Sequence, residues 1–266
     1  MSDHLTGFRA RLENGQAAFA AWCGMCEVHG LEVILREGYD CAVLDWQHGF
    51  HDFQSIETGI IAANGLRKPA FVRIGVGDFA QGARFLDWGA AGIIAPMINS
   101  AADAKAFAGF MKYPPMGGRS WGPPRAAAAM GFSNAEQLAK GNEATLAIAM
   151  IETREAMAEL EDILAEPGID GVFVGPADLS IALTRGSVVD PLHADVDAAL
   201  TLIARKARAA GKIASAFCPD GARGAELAKR GYQILSLGTD GSMLRNAARA
   251  EIRIARGQAG QSDSGY

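Results

Sequence analysis

The chain repeats one pattern, a short and almost wholly apolar run followed by a segment with helical spacing. The apolar runs are Ala18–Gly24, Cys41–Gln47, Ala70–Ile74, Gly92–Met97, Leu146–Ile151, Gly171–Val174, Ile213–Phe217 and Ile234–Leu237. Near-continuous hydrophobicity, rather than strict alternation, marks strands buried on both faces of a parallel sheet. Between them lie helix patterns at Glu27–Glu37, Phe53–Asn64, Phe79–Trp88, Ala101–Met111, Arg154–Ala165, Val196–Ala210 and Gly221–Lys229, with a last one at Met243–Arg256. Several are followed by a glycine suited to a helix C-cap: Gly38, Gly65, Gly89, Gly211 and Gly231. Eight strands alternating with helices predict an α/β fold, a (β/α)8 TIM barrel. An open doubly wound sheet would need a G-x-G-x-x-G turn after an early strand. The first strand instead leads into Cys23-Gly24-Met25-Cys26.

Residues 1–256 are read as a single barrel domain, and 257–266, rich in Gly, Ser and Gln, as a flexible tail. The stretch from Lys112 to Phe132 breaks the rhythm. It is rich in Pro and Gly and is expected to be a long functional loop.

Length and composition agree with this picture. A chain of 266 residues, 49% hydrophobic, can build one large core. The net charge of −5 without like-charge blocks argues against nucleic acid as a partner. No apolar stretch of about 18 residues predicts a membrane span, and the polar N-terminal segment lacks a signal-peptide pattern. A cytoplasmic location is therefore expected. The four cysteines, Cys23, Cys26, Cys41 and Cys218, lack the second pair a zinc site needs and are read as reduced and structural.

In a parallel barrel the chemistry collects where strands end. Strand two runs out in Asp45-Trp46-Gln47-His48, strand three in Arg73, strand five in Glu152, and strand six leads to Asp178. These five ionisable residues should share one rim. Glu152 and Asp178 suit a hard divalent cation such as Mg2+ or Mn2+, which takes oxygen ligands and is often held by only one or two carboxylates. Each also fits a helix-capping role, before Thr153 and before Leu179. His48 suits proton transfer because its ordinary pKa lies near neutrality. Arg73 can hold a carboxylate or an oxyanion, or pair with Asp45 on the next strand. Imine chemistry is not expected. Lys68 and Lys212 precede strands, and Lys105, Lys112, Lys140, Lys206 and Lys229 fall on helices or loops.

At this point the motifs resemble the HpcH/HpaI family of class II, pyruvate-dependent aldolases. The matching pieces are Asp45-Trp46-Gln47-His48, Phe71-Val72-Arg73, Gly92-Ile93-Ile94-Ala95-Pro96-Met97, Tyr113-Pro114-Pro115, Gly117-Gly118-Arg119-Ser120-Trp121-Gly122, Ile151-Glu152-Thr153-Arg154-Glu155-Ala156 and Gly171 to Ser180, the last containing Gly175-Pro176-Ala177-Asp178. The resemblance spans nearly the whole chain. It implies a phosphoenolpyruvate/pyruvate-type barrel that cleaves a 4-hydroxy-2-oxo acid to pyruvate or hydroxypyruvate and an aldehyde. It implies Glu152 and Asp178 as ligands of Mg2+, Mn2+ or Co2+, with no organic cofactor. His48 would be the base and Arg73 the residue that binds the 2-oxo oxygen. Asp87 would raise the basicity of His48, from a helix end that packs near a neighbouring subunit's site. The backbone of Gly175, Pro176 and Ala177 would hold the substrate carboxylate with helix N-terminal amides, beside Met150 and Asp178, with Asp45 and Gln47 in support. A homohexamer, a trimer of dimers with the last helix exchanged between protomers, is also implied.

The chain departs from the family pattern in three places. Met150 stands where glutamine is common, Trp46 is bulky, and Ile74-Gly75-Val76 follows Arg73 where many members have proline. These bear on substrate preference rather than on the metal. Two alternatives share part of the pattern. An acyl-CoA lyase of the citrate lyase β or malyl-CoA type usually carries more C-terminal sequence. A non-catalytic oxo-acid-binding barrel should have lost a rim charge.

Overall fold

The structure, a computed structural model, describes residues 4–25 and 27–258, apart from the side chains of His4 and Thr6. Cys26 and most of the tail expected at 257–266 therefore lie outside the described residues. In chain order the elements are α1 (His4–Glu13), β1 (Ala18–Cys23), α2 (Val28–Arg36), β2 (Cys41–Asp45), α3 (Phe53–Gly65), β3 (Ala70–Arg73), α4 (Phe79–Asp87), β4 (Gly92–Ala95), α5 (Ala101–Met111), α6 (Pro124–Met130) and α7 (Asn134–Ala144). They continue with β5 (Leu146–Ile151), α8 (Arg154–Ala158), α9 (Leu160–Ala165), β6 (Gly171–Val174), α10 (Pro176–Leu183), α11 (Ala194–Ala209), β7 (Ile213–Cys218), α12 (Gly221–Lys229), β8 (Ile234–Thr239) and α13 (Asp240–Ala255).

The eight strands pair in sequence order and close into a barrel. The pairings are parallel, including the closing pair of β1 and β8. Two apolar layers result. Inward side chains such as Val43, Phe71, Ile148, Met150 and Phe173 fill the barrel. Outward ones such as Leu44, Val72, Ile93 and Val174 pack under the helices. Helix α1 closes the base with Leu5, Phe8 and Leu12, and the Phe8 ring stacks 6.0 Å from Phe71. Full burial of one such side chain contributes about 1.5–3 kcal/mol.

Four differences from the sequence expectations have clear causes. The loop expected from Lys112 to Phe132 contains α6, whose Pro124 suits the first helical turn and whose Gly131 closes it at φ +73°. Its Pro and Gly content conceals a helix built on an alanine run. The pattern Arg154–Ala165 divides at Glu159 into α8 and α9. Gly65 is not a left-handed cap. It ends α3, and Arg67 takes the left-handed conformation at φ +58°. Helix α13 starts three residues earlier than expected because Thr239 and Ser242 form a capping box there. None of its 16 residues is buried, and Leu244, Ile252 and Ile254 are exposed.

Candidate active site

The mouth of the barrel gathers the rim residues read from the sequence. Registering β2 beside β3 puts Asp45 opposite Arg73, and the two form a buried fork. Arg73 Nε donates to Asp45 Oδ1 at 2.9 Å and Nη2 to Oδ2 at 2.6 Å. The pairing of Asp45 with Arg73 is thus real, and it leaves Nη1 without a hydrogen-bond partner among the described residues. Asp45 Oδ1 also accepts the His48 amide at 3.2 Å. It therefore ties the arginine to the turn that carries the histidine. That turn is tight. A Cβ on Gly49 would sit 2.3 Å from the Asp45 carbonyl oxygen. The His48 ring is exposed and has no hydrogen bond among the described residues. Gln47 is half-buried beside it, with a buried Oε1 that has no partner among the described residues.

Glu152 stands across the mouth at the end of β5 and is 3% exposed. Its Oε1 accepts the Met97 amide at 2.8 Å, and Oε2 has no hydrogen bond among the described residues. Met97 holds a left-handed backbone at φ +56° to present that amide. This orientation is unusual for methionine and fits a functional loop. Thr153, not Glu152, caps α8, accepting the Ala156 amide. Asp178 does not cap either. It lies exposed within the first turn of α10, whose N-cap Gly175 makes no side-chain cap bond. Neither capping role applies, and both carboxylates are left available. The first amides of α10 are likewise uncapped and face the direction in which a helix N-terminus attracts anions.

The charges at this end of the barrel interact. Burial pushes the Glu152 carboxyl above its usual range and the Met97 amide opposes that. The Asp178 charge raises it further and Arg73 lowers it. A buried carboxylate with one oxygen unengaged and a second carboxylate within electrostatic reach form a hard oxygen donor set. That chemistry suits a divalent cation that completes its shell with water and substrate. Gly175 makes the close approach possible. A Cβ there would meet Glu152 Oε2 at 2.7 Å and Met150 Cε at 3.1 Å. Met150 is 1% exposed and lines the site with its thioether where glutamine would offer a polar group.

Asp87 is not among these residues. It ends α4, which runs antiparallel to the strands, so it lies at the base of the barrel, away from His48 of its own chain. There Arg119 Nη2 donates to its Oδ1 at 2.6 Å. Burial raises the Asp87 carboxyl pKa, and Arg119 opposes the shift. Lys112 is also buried at the base. Its Nζ donates to the carbonyls of Asn142 and Thr145 and to Asp170 Oδ2. It is held at the end of the barrel opposite the mouth. The sequence motifs contain Met97 and Arg119 without giving them a role, and they do not include Trp22. A signal existed for Trp22, which shares the inward parity of Ala18 and Ala20 on β1. Cys23, Cys41 and Cys218 are free and buried.

Comparison with known proteins identifies the family. The family model described as HpcH/HpaI aldolase/citrate lyase matches residues 22–247. The hydroxypyruvate/pyruvate aldolase of Rhizorhabdus wittichii is 38% identical over 91% of this chain and 95% of its own length. The 4-hydroxy-2-oxo-heptane-1,7-dioate aldolase of Salmonella dublin is 31% identical over 91% of this chain and 92% of its own. The crystal structure of an HpcH/HpaI aldolase from Desulfitobacterium hafniense superimposes with a TM-score of 0.87 at 25% identity, covering 96% of this chain and 98% of that one. The chain belongs to the HpcH/HpaI aldolase/citrate lyase family and is an aldolase, a carbon–carbon lyase.

Proposed function

We propose that this enzyme cleaves a 4-hydroxy-2-oxo acid reversibly to pyruvate or hydroxypyruvate and an aldehyde, using a divalent cation held by Glu152 and Asp178. The observation that carries the reading is the convergence of Arg73, Glu152 and Asp178. Glu152 is buried with one unengaged oxygen, and its ionisation responds to both other charges. Bound there, Mg2+, Mn2+ or Co2+ would supply Lewis-acid charge to the carboxylate and keto oxygens of the substrate. The chain's own groups do the rest. The uncapped amides of Ala177 and Asp178, beyond Gly175 and Pro176, receive the substrate carboxylate. Arg73 turns Nη1 toward the oxygen that gains charge as the C3–C4 bond breaks. His48 takes the proton of the C4 hydroxyl, directly or through water, and C4 leaves as the aldehyde. A proton returned to C3 completes the pyruvate. Gln47 Oε1, buried without a partner among the described residues, is placed to support the His48 turn.

The donor assignment rests on the name of the relative that is 38% identical. Met150 in place of a polar residue favours a less polar acceptor aldehyde. Asp87 acts on His48 of another protomer, since it lies at the far end of its own barrel. The same reading carries a homohexamer, a trimer of dimers with α13 exchanged. An amphipathic helix with no buried residue is consistent with that. No helix among the described residues is long and apolar enough to cross a membrane, and a cytoplasmic location is part of the proposal.

A screen of 4-hydroxy-2-oxo acids for pyruvate release tests the substrate class. Variants test the roles. His48→Ala and Arg73→Ala should each lose about a hundredfold or more in kcat/KM, while Mn2+ binding measured by electron paramagnetic resonance stays intact. Loss of Mn2+ binding in Arg73→Ala would contradict the division of labour.

A further inference from the structure

Strand β1 carries none of the rim residues that the sequence singled out, yet its indole sits against the most constrained group in the site. The Trp22 ring lies 4.7 Å from the Arg73 guanidinium carbon. Its Nε1 donates to Asp45 Oδ2 at 3.2 Å, the same oxygen that takes Arg73 Nη2 at 2.6 Å. Trp22 is 5% exposed. Phe173 at 5.5 Å and Phe217 at 5.6 Å, the latter edge-on, wedge the indole in place. Arg73 is thus held by two contacts of different kind. The carboxylate fork fixes the guanidinium in its plane and the indole face fixes that plane's tilt. An arginine is worth most to a developing oxyanion when its donors need not reorganise. A guanidinium bound only in its plane can still rock about the fork axis. A π face packed on one side removes that freedom.

We infer that Trp22 is a positioning residue for the aldol reaction, aligning Arg73 Nη1 with the oxygen that becomes charged, through its ring face and through its bond to Asp45. This rests on the proposed role of Arg73. Trp22 need not touch substrate. Its effect should fall on the rate of the proton-transfer and bond-breaking steps and should vanish when Arg73 is gone.

The test is a double-mutant cycle read by exchange of the pyruvate methyl protons for deuterium, followed by NMR with Mg2+ present. That exchange reports formation of the charged oxygen without an acceptor aldehyde. Trp22→Phe keeps an aromatic face and loses the N–H, and should slow exchange about tenfold. Trp22→Leu loses both and should slow it about a hundredfold. In both variants KM for pyruvate should change less than threefold. In the Arg73→Ala background the same substitutions should change the residual rate by less than twofold. A packing role would instead slow both backgrounds equally, and that result overturns the inference. So would an unchanged rate in Trp22→Phe and Trp22→Leu. If Trp22→Leu does not fold, as judged by circular dichroism, the Trp22→Phe arm decides alone. If Arg73→Ala itself exchanges at the wild-type rate, the proposed role of Arg73 has failed rather than the coupling to Trp22.

Discussion

A single hydrogen atom on Gly175 keeps the carboxylate pocket open. A Cβ in its place would lie 2.7 Å from Glu152 Oε2 and 3.1 Å from Met150 Cε, so either the carboxylate or the thioether must move. Gly175→Ala should therefore lower kcat/KM about a hundredfold, because a displacement near 1 Å of a positioned group costs roughly that much. The far-ultraviolet circular dichroism should be unchanged. Wild-type activity in that variant would mean that Glu152 Oε2 is not used. The residues of the mouth were legible in the sequence to an uneven degree. Asp45, His48, Arg73, Glu152 and Asp178 stand out because each follows an apolar run at the end where barrels do chemistry. Trp22 did not, since a tryptophan inside an apolar strand reads as core, and only the three-dimensional packing puts it over a guanidinium. Met97 was hidden for another reason. Its contribution is a backbone amide turned by a left-handed φ of +56°, which no side-chain pattern announces.

At the scale of elements, the strands were readable to within a residue or two because burial on both faces leaves an unbroken apolar signature. Helices α6 and α7 were not, because Pro123, Pro124 and Gly131 resemble loop punctuation while serving as helix boundaries. The segment before α6 does structural work at the base. Lys112, 1% exposed, joins the end of α5 to the end of α7 and to the residues before β5 and β6 through three hydrogen bonds. Burial pulls its pKa down and Asp170 pulls it back. Lys112→Met removes the hydrogen bonds to the Asn142 and Thr145 carbonyls, while Asp170 keeps Arg9 and the Ala147 amide. Losing those bonds at a buried site should destabilise the fold by about 1–3 kcal/mol. Denaturant unfolding measures that loss. Since the base is far from the mouth, activity per folded molecule should stay within twofold. A large loss of kcat without a loss of stability would show that Lys112 takes part in the chemistry.

At the scale of the whole molecule, the single chain leaves two features unfinished. Asp87 is half-buried with one oxygen on Arg119, at the end of the barrel opposite its own His48. Helix α13 extends apolar side chains that the described residues do not cover. Both gain a purpose if protomers complete one another. Mixing inactive His48→Ala and Asp87→Asn protomers under conditions that allow subunit exchange should restore measurable pyruvate release. A mixture no more active than its parts would place Asp87 outside the catalytic machinery. Fold and mouth were legible in the sequence because they depend on local patterns. Assembly was implied only by resemblance, because a helix that packs on another protomer has the same amphipathic pattern as one that packs on its own. The proposed cation site of Glu152 and Asp178 is open to a chelation test. Protein stripped with EDTA and passed into metal-free buffer should lose pyruvate release from a 4-hydroxy-2-oxo acid and regain it on addition of Mg2+, Mn2+ or Co2+. Full activity in the stripped protein, with metal shown absent by elemental analysis, would contradict it.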